Sequence, residues 1–311
     1  MNLPKLIVLV GPTASGKSEA AVLLAKKFHG EIISADSRQI YKGLNLGTGK
    51  IKGKWVDSKK RGRVFCYHFK YKGIAHHLID FVNPRKQYSV SLFQAAAKKS
   101  IADIISRGKL PIICGGTAHW IDAIVYNQQI PQVKPNKKLR AQLEKKSVTD
   151  LYRQLKKLDP VRAKSIDPRN PHRLIRALEI IISTGKPVPY NPTTLSPYNP
   201  LWLGLNPSQK ILYKKIDARL HQRLKQGMLK EVSQLHEQGL SWKRLESFGL
   251  EYKYISLFLQ KKLTREQMIQ QLSFAIKHYS KRQLTWWKRN KNINWLQKPA
   301  QAAKQVEKFL A

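Results

Sequence analysis

Residues 11–18 restrict the fold of this chain more than any other segment. They read Gly11-Pro12-Thr13-Ala14-Ser15-Gly16-Lys17-Ser18 and fit the pattern G-x-x-x-x-G-K-[ST] at every fixed position. A continuous apolar run at 6–10 precedes them, and a helical pattern at 18–28 follows. A buried strand, a glycine-rich turn and a helix in this order are typical of a phosphate-binding loop, whereas a chance glycine-rich turn would lack both flanking elements.

The chemistry of this loop follows from its residue types. Glycines let backbone N–H groups turn inward around an anion, and the N-terminus of the following helix adds about half a positive charge. Lys17 neutralises phosphate oxygens, which makes it a catalytic candidate, and the Ser18 hydroxyl is suited to hold Mg²⁺. We therefore assign phosphate or diphosphate binding to the whole loop: Gly11, Pro12, Thr13, Ala14, Ser15, Gly16, Lys17 and Ser18.

Strand and helix patterns alternate along the rest of the chain. Short apolar runs predict further strands at 31–35, 110–114, 201–205 and 293–296. A periodicity of 3.6 residues predicts helices at 91–107 and across 208–289. This alternation predicts an α/β fold, with a P-loop NTPase-like open parallel sheet flanked by helices. The basic and aromatic segment 48–77 indicates a loop or a small hairpin.

The middle of the chain differs from both ends. Asp-Pro and Asn-Pro pairs at 159–160, 167–168 and 170–171 each stop or start a helix. We interpret 121–200 as a mainly helical insertion domain. The core then consists of 1–120 and its continuation over 201–311.

The charge of the chain points to a polyanionic partner. Its 311 residues include 58 Lys+Arg against 19 Asp+Glu, a formal net charge of +39. Such an excess repels itself in the folded state, and nucleic acid phosphates relieve that repulsion. The alternative is a general lysine bias of the source organism, which the sequence alone leaves open.

The two cysteines and the hydropathy pattern exclude several classes. Cys66 and Cys114 form no CxxC pair, which argues against a zinc site and a disulfide scaffold and favours free buried thiols. No run of about 18 apolar residues is present, so no membrane span is expected. These features predict a cytoplasmic protein without a membrane partner.

The third strand lacks the acid that P-loop kinases and ATPases use. It ends Cys114-Gly115-Gly116-Thr117, where those enzymes carry an Asp that orients Mg²⁺ and water. Asp80 is a weak substitute because its surrounding match is short. The sequence therefore indicates a loop that binds phosphates without hydrolysing a terminal phosphoryl group.

Two polar residues follow different strands and are expected to face the phosphate loop. Asp36 follows the second strand and Thr117 follows the third, and ligands of open parallel sheets bind at such carboxyl ends. Asp is also a common helix N-cap, so position alone leaves a binding or catalytic role and a capping role equally open for Asp36.

Several motifs in consistent order resemble the tRNA dimethylallyltransferase (isopentenyltransferase) family. A generic P-loop protein would share only the first of them. They are the loop at 11–18, S-A-D-S-R-Q-I-Y at 34–41, L-G-T-G-K at 46–50, H-L-I-D at 77–80, G-G-T at 115–117, Asp159-Pro160, N-P-H-R-L-I-R-A-L-E at 170–179, Ile216-Asp217-x-Arg219 and Lys281-Arg282-Gln283-x-Thr285-Trp286.

The resemblance implies a reaction and its participants. Dimethylallyl diphosphate is the donor, N6 of adenosine 37 beside the tRNA anticodon is the acceptor, and Mg²⁺ is needed. Asp36 then hydrogen-bonds N6 and takes its proton, Thr117 contacts the base or the diphosphate, and Lys17 stabilises the departing pyrophosphate. Arg219 matches a family arginine and is assigned to the diphosphate.

The resemblance also implies that the insertion at 121–200 clamps tRNA, with an interface around the anticodon stem-loop. Without it, each basic member would be no more than a solvated residue on a basic surface. The implied contacts are Asp36, Ser37, Arg38, Gln39, Thr117, Arg140, His172, Arg173, Leu174, Ile175 and Arg176. We expect a monomer.

Three other functions compete with this interpretation. The main alternative is a P-loop kinase of a nucleoside or small metabolite, but small acceptors do not call for this much positive charge. An enzyme that prenylates free AMP or ADP would not need the basic insertion. A nucleic-acid-binding protein with a vestigial nucleotide site would not need the intact Lys17-Ser18 pair together with Asp36.

Overall fold

The computed structural model of the chain describes residues 3–60, 63–189 and 195–311, with the backbone alone for 57–60 and 63–68. Its contacts divide the chain into two compact units. Met1–Val125 together with Ser196–Ala311 form one, called here the core unit. Tyr126–Leu195 form the other, called here the helical unit.

A mixed sheet forms the centre of the core unit. Within the described residues it has eight strands, in the order β3-β4-β5-β2-β6-β1-β7-β8. These are β1 (Lys5–Val10), β2 (Gly30–Ala35), β3 (Lys54–Lys60), β4 (Arg63–Tyr71), β5 (Ile74–His77), β6 (Leu110–Gly115), β7 (Asn199–Leu205) and β8 (Asn294–Leu296). All neighbours from β5 to β8 pair in parallel, which confirms the predicted fold class.

The apolar run before the phosphate loop is the middle of this sheet. β1 pairs with β6 through Ile7 and Ile112, and with β7 through Ile7 and Leu201. Residues 6–10 are fully buried. A central parallel strand is covered by helices on both faces, so it is apolar at every position instead of alternating.

Segment 48–77 contributes more to the sheet than the expected loop or hairpin. β3 and β4 form the hairpin, and β4 continues antiparallel onto β5. β5 in turn lies parallel to β2, with Ile32 opposite His76. Local sequence pattern indicates hairpins but gives no sign of the long-range pairing that adds β5 to the main sheet.

Helices cover the sheet and build the helical unit. In the core unit they are α1 (Lys17–Lys27), α2 (Val90–Ser106), α3 (Ala118–Val125), α8 (Gln209–Lys225), α9 (Met228–Glu237), α10 (Trp242–Ser247), α11 (Leu250–Leu259), α12 (Arg265–Trp287) and α13 (Gln301–Leu310). In the helical unit they are α4 (Lys137–Leu143), α5 (Val148–Leu158), α6 (Pro160–Ser165) and α7 (Pro171–Thr184).

Two of the three Asp-Pro and Asn-Pro pairs start helices, while Asp167-Pro168 lies in the turn between α6 and α7. Asp159 caps α6 by accepting from the Arg162 amide, and Asn170 caps α7 by accepting from the Arg173 amide. Proline is the first residue of both helices, where its missing N–H has no intrahelical partner to lose. The sequence places the insertion at 121–200, whereas the contacts place the ends of the helical unit at Tyr126 and Leu195.

Two further expectations concern the cysteines and the membrane. Cys114 is buried and free, as expected, while the side chain of Cys66 lies outside the described residues. Among the described helices, none combines the length and the apolar character that crossing a bilayer requires.

Candidate active site

A crevice of about 1150 Å³ opens at the carboxyl ends of β1, β2 and β6. The phosphate loop forms its floor, and side chains from α8, α11 and α12 form its walls. Pockets for one small ligand usually have about 300–1,000 Å³. The crevice is therefore large enough for a small phosphorylated molecule and part of a second substrate.

Two glycines give the phosphate loop its shape. Gly11 has φ 145°, and a Cβ there would lie 2.5 Å from the Leu205 carbonyl oxygen. Gly16 has φ 95° and directly precedes α1. Both positions exclude larger residues, and the first amides of α1 are left without intrahelical acceptors, as an anion site requires.

Lys17 is held at the centre of this loop. Its Nζ donates to the Pro12 carbonyl at 2.7 Å. Part of the side chain faces the crevice, but protein surrounds the ammonium, and this burial lowers the pKa of Lys17 to about 8. Asp36 opposes that shift and Arg219 adds to it. Because little negative charge surrounds the Lys17 ammonium, an anion that binds beside it is stabilised.

Gln283 of α12 is a site residue to which the sequence pattern gave no role. Its Oε1 accepts from the Thr13 amide at 2.8 Å, and its Nε2 donates to the Gly116 carbonyl at 3.0 Å. It therefore ties the phosphate loop to the turn after β6. The Thr13 N–H is consumed by this bond, so the contribution of Thr13 to phosphate binding is limited to its side chain.

Asp36 caps a turn, not a helix. Its Oδ1 accepts from the amides of Arg38 at 2.9 Å and Gln39 at 3.3 Å. The chain continues as a turn from Ser37, so the helix-capping alternative is wrong. Oδ2 accepts no hydrogen bond from the described residues, and Asp36 lines the crevice. One carboxylate oxygen is fixed and the other is available to a substrate.

Thr117 holds the turn that carries Asp36. Its Oγ1 accepts from the Ser37 amide at 3.0 Å, and its own amide donates to the Ala35 carbonyl at 3.2 Å. These bonds join the ends of β2 and β6. The structure thus shows a positioning contact for Thr117, which was expected to contact the substrate.

The other residues of this turn also line the crevice. Ser37, Arg38 and Gln39 follow Asp36 along its wall. Gln39 Nε2 donates to the Thr48 carbonyl at 3.2 Å, so the turn supports the L-G-T-G-K segment. Arg38 is exposed on the same wall.

The L-G-T-G-K segment is anchored by two charged side chains to which the sequence pattern gave no role, the half-buried Glu231 and the buried Lys50. Glu231 of α9 accepts from the amides of Asn45, Leu46 and Gly47 and from the Tyr252 hydroxyl, at 2.7–3.2 Å. Lys50 Nζ donates to the Tyr41 carbonyl at 2.6 Å and to Asp80 at 2.5 Å. Because Asp80 is committed to Lys50, it is not the missing magnesium-orienting acid of a kinase.

Two arginines of α8 face the crevice. Arg219 was expected there, whereas Arg223, one turn later, was not. Burial and the nearby Arg223 lower the pKa of Arg219 to about 10. Arg223 Nη1 lies 3.4 Å from Glu251 Oε1 of α11. Residues four apart share a helix face, so a periodicity signal for Arg223 exists in the sequence once Arg219 is known.

Two residues predicted to contact tRNA form ion pairs within the helical unit instead. Arg140 and Arg176 both pair with Glu179, at 2.7 Å and 2.6 Å, and the Glu179 side chain is fully buried. Burial tends to raise the pKa of Glu179, but hydrogen bonds from Arg140, Arg176 and the Asn136 amide lower it to about 2. Both arginines hold Glu179, and replacing Glu179 would leave two guanidinium groups without their carboxylate, so this cluster is structural.

Two other residues predicted to contact tRNA have buried side chains. Leu174 has no exposed surface and Ile175 is 6% exposed, because both pack into the core of the helical unit with Leu151 and Leu155. Their side chains therefore cannot reach RNA in this structure. His172 and Arg173 are exposed at the start of α7, and their contact with tRNA stays a prediction.

The oxygen donors around the phosphate loop bear on the expected Mg²⁺. The Ser18 hydroxyl, the predicted Mg²⁺ ligand, lines the crevice at the start of α1. Across the described residues, no group of three or more His, Cys, Asp or Glu side chains could hold a metal by itself. This donor set fits Mg²⁺, which takes few protein ligands and keeps water and substrate phosphates as the others.

Two family models match the chain. The model described as IPP transferase matches residues 39–290, and the one described as isopentenyl transferase matches residues 4–69. Together they cover the phosphate loop, the Asp36 turn, the helical unit and α12.

Individual relatives agree with the family models. Proteins named tRNA dimethylallyltransferase from Thermomicrobium roseum and Anoxybacillus flavithermus are each 39% identical, over 95% and 94% of this chain and 87% and 89% of their own length. A crystal structure of the full-length tRNA isopentenylpyrophosphate transferase from Bacillus halodurans covers 98% of this chain and 95% of its own, at 33% identity and TM-score 0.69. A eukaryotic dimethylallyltransferase crystallised acting on tRNA covers 94% of this chain and 73% of its own, at 29% identity and TM-score 0.76.

Proposed function

This chain belongs to the IPP transferase family, and we propose that it transfers a dimethylallyl group from dimethylallyl diphosphate to N6 of adenosine 37 in tRNA. Pyrophosphate is the second product. The observation that carries the proposal is that a phosphate loop and an available carboxylate oxygen line one crevice. The loop suits the diphosphate of the donor, and the carboxylate suits an acceptor that loses a proton.

The donor side of the reaction is served by the loop and α8. An exocyclic adenine amine is a weak nucleophile, so the allyl C–O bond must be largely broken before N6 attacks. Negative charge then grows on pyrophosphate, which Lys17, the first amides of α1 and Arg219 would stabilise, since all of them line the crevice. Ser18 would hold Mg²⁺, which supplies further neutralisation of the diphosphate when bound.

The acceptor side is served by Asp36. As the new C–N bond forms, the N6 proton becomes acidic and needs an acceptor. Oδ1 is fixed by the Arg38 and Gln39 amides, so Oδ2 can accept the N6–H bond and then the proton. Thr117 supports this step by holding Ser37, the next residue of the turn.

The tRNA interface in this proposal is smaller than the sequence implied. Ser37, Arg38 and Gln39 serve as contacts at the crevice, and His172 and Arg173 serve at the exposed start of α7. Arg140 and Arg176 serve mainly to hold Glu179. A cytoplasmic location and a monomeric state complete the proposal, since the substrate is cytoplasmic tRNA and one chain carries both the loop and Asp36.

The kinase alternative is disfavoured by a specific feature of the site. β6 ends Cys114-Gly115-Gly116 without an acid, and Asp80 is paired with Lys50. No relative named above is a kinase.

One transfer experiment tests the proposal. The protein is incubated with Mg²⁺, radiolabelled dimethylallyl diphosphate and unmodified tRNA, and parallel reactions replace tRNA with AMP or the donor with γ-labelled ATP. We expect label in tRNA alone, at adenosine 37. Prenylated AMP, or phosphate transferred from ATP, would contradict it.

A further inference from the structure

One face of α8 carries a second positive side chain into the crevice beyond Arg219. Arg219, Gln222, Arg223 and Gln226 are spaced as i, i+3, i+4 and i+7, and all four line the crevice. This spacing forms one stripe along a helix. The stripe therefore presents two guanidinium groups, one turn apart, to whatever the phosphate loop binds.

Both guanidinium groups converge on Gly49 of the L-G-T-G-K segment. A Cβ at Gly49 would lie 3.0 Å from Arg219 Nη2 and would collide with Arg223 Nη2. The backbone of this segment is fixed by Glu231 through the amides of residues 45–47. Arg223 thus lies against a rigid surface, which limits its freedom to rotate away from the crevice.

The charges of this cluster do not balance internally. Arg219 makes no hydrogen bond or ion pair with the described residues, and Arg223 has a single contact with Glu251 at 3.4 Å. The Glu251 side chain is 14% exposed, pairs with Arg223, and is close enough to Arg219 for its charge to raise the pKa of that arginine against the lowering by burial and Arg223. Two guanidinium groups against one carboxylate leave a net positive charge in a partly buried place, which favours an anion.

This positive charge is continuous with that of the phosphate loop. Arg219 is close enough to Lys17 to lower its pKa, and Arg223 is close enough to Arg219 to do the same. The row Lys17, Arg219, Arg223 therefore runs from the loop along α8. A diphosphate has two phosphoryl groups, and one group held by the loop leaves the other directed toward this row.

We propose that Arg223 is a second diphosphate-binding arginine, oriented by Glu251. The planar guanidinium can bind two phosphate oxygens at once, as Arg219 can. Glu251 acts as a positioning residue because its carboxylate contacts Arg223 and would repel the negative charge of a diphosphate. The inference rests on the proposed function, since it names the diphosphate of the donor as the ligand.

Pyrophosphate binding isolates this role from the transfer reaction. Binding of inorganic pyrophosphate with Mg²⁺ is measured by calorimetry for the wild type, Arg223→Gln, and the double variant Arg223→Gln with Glu251→Gln. We expect both variants to bind pyrophosphate about tenfold more weakly, the loss of one charge-assisted contact. Lys214→Gln, on the opposite face of α8, is the matched control and should bind normally.

The double variant separates ligand binding from charge balance. If Arg223 only neutralises Glu251, removing both charges restores pyrophosphate binding, and the inference is wrong. It is also wrong if Arg223→Gln weakens tRNA binding alone, because the ligand is then an RNA phosphate. Arg223→Lys keeps the charge without the planar fork and should bind with intermediate affinity, provided that circular dichroism shows native folding.

The wild-type transfer assay tests the parent proposal separately. A wild-type protein that binds pyrophosphate through Arg223 but does not prenylate tRNA would contradict the proposed function and leave the arginine assignment intact. A wild type that prenylates tRNA, with Arg223→Gln binding pyrophosphate normally, would contradict the arginine assignment alone.

Discussion

The crevice of the core unit and the interior of the helical unit treat arginine in opposite ways. In the crevice, Arg219 has no hydrogen-bond partner among the described residues, and Arg223 has one weak contact. In the helical unit, Arg140 and Arg176 donate three hydrogen bonds of 2.6–2.8 Å to the fully buried Glu179. Arg176 donates a further one of 3.0 Å to the Val133 carbonyl. In the first arrangement the guanidinium N–H groups are left for a ligand, and in the second the hydrogen bonds to Glu179 and Val133 take them up.

This difference shows that net charge alone does not locate a nucleic-acid interface. A formal charge of +39 makes any arginine a reasonable RNA contact in the sequence. The free energy of an arginine depends on its partner, because a buried ion pair is costly to break while an unpaired guanidinium gains by binding an anion. Variants that remove one charge from each region should therefore have different readouts.

The largest effect is expected at the acceptor side of the crevice, with Asp36→Asn. Asparagine keeps an oxygen for the Arg38 and Gln39 amides but cannot take the N6 proton. We expect the single-turnover transfer rate to fall about 100-fold or more, with tRNA binding nearly unchanged. Normal turnover by this variant would restrict Asp36 to its turn-capping role. Asp103→Asn, an exposed carboxylate on α2, is the control.

In the helical unit the expected effect is on stability. Glu179→Gln leaves Arg140 and Arg176 facing a neutral group, and we expect a loss of about 2 kcal/mol in the free energy of unfolding. This is below the value for a fully buried pair because both arginines are 35% exposed. Urea denaturation measures it, with the exposed Glu144→Gln as control. An unchanged midpoint would make the cluster dispensable.

The same cluster should have a characteristic pH dependence. The pKa of Glu179 lies at about 2 in the folded protein, below its ordinary value of 4.5. A depressed carboxyl pKa contributes stability above the ordinary value, which is lost as pH falls toward the folded value. We expect the wild type to lose its advantage over Glu179→Gln between about pH 4.5 and pH 2, as followed by thermal unfolding. Parallel curves for the two proteins would contradict this.

A smaller effect is expected from the lowered pKa of Lys17. Below its pKa of about 8 the side chain is positive and binds an anion, and above it the side chain becomes neutral. Pyrophosphate affinity should therefore fall as pH rises above about 8, by at most about tenfold per pH unit. In Lys17→Gln the pH dependence of pyrophosphate affinity comes only from the ionisation of pyrophosphate. If the affinity of the wild type changed with pH in parallel with that of the variant, the prediction would be contradicted.

The smallest effect separates two arginines of the same helix. Arg173→Gln should weaken tRNA binding a few-fold and reduce its salt dependence by about 0.7–0.9 in slope, the share of one phosphate contact. Arg176→Gln should instead lower the stability of the helical unit. Filter binding across salt concentrations measures the first effect, with the exposed Arg153→Gln as control. An unchanged slope for Arg173→Gln would remove this residue from the interface.

Local physics made much of the fold and part of the site readable from the sequence. The phosphate loop, the strands at 6–10 and 110–114 and the proline-started helices all depend on neighbours within a few residues. Their signals are steric and periodic, so they survive without tertiary context. The position of Asp36 in the crevice could also be predicted, because it directly follows a predicted strand and the carboxyl ends of parallel strands share one edge of the sheet.

Only the tertiary structure decided which charged residues are free. Glu231 and Gln283 support loops about 185 and 270 positions away. Arg140 has a structural role because Glu179, 39 positions away, is buried beside it, whereas Arg219 has no such carboxylate partner among the described residues and is left for a ligand. A sequence records the type and order of these side chains. It does not record the distances and desolvation that set their free energies, because these arise only when remote segments pack together.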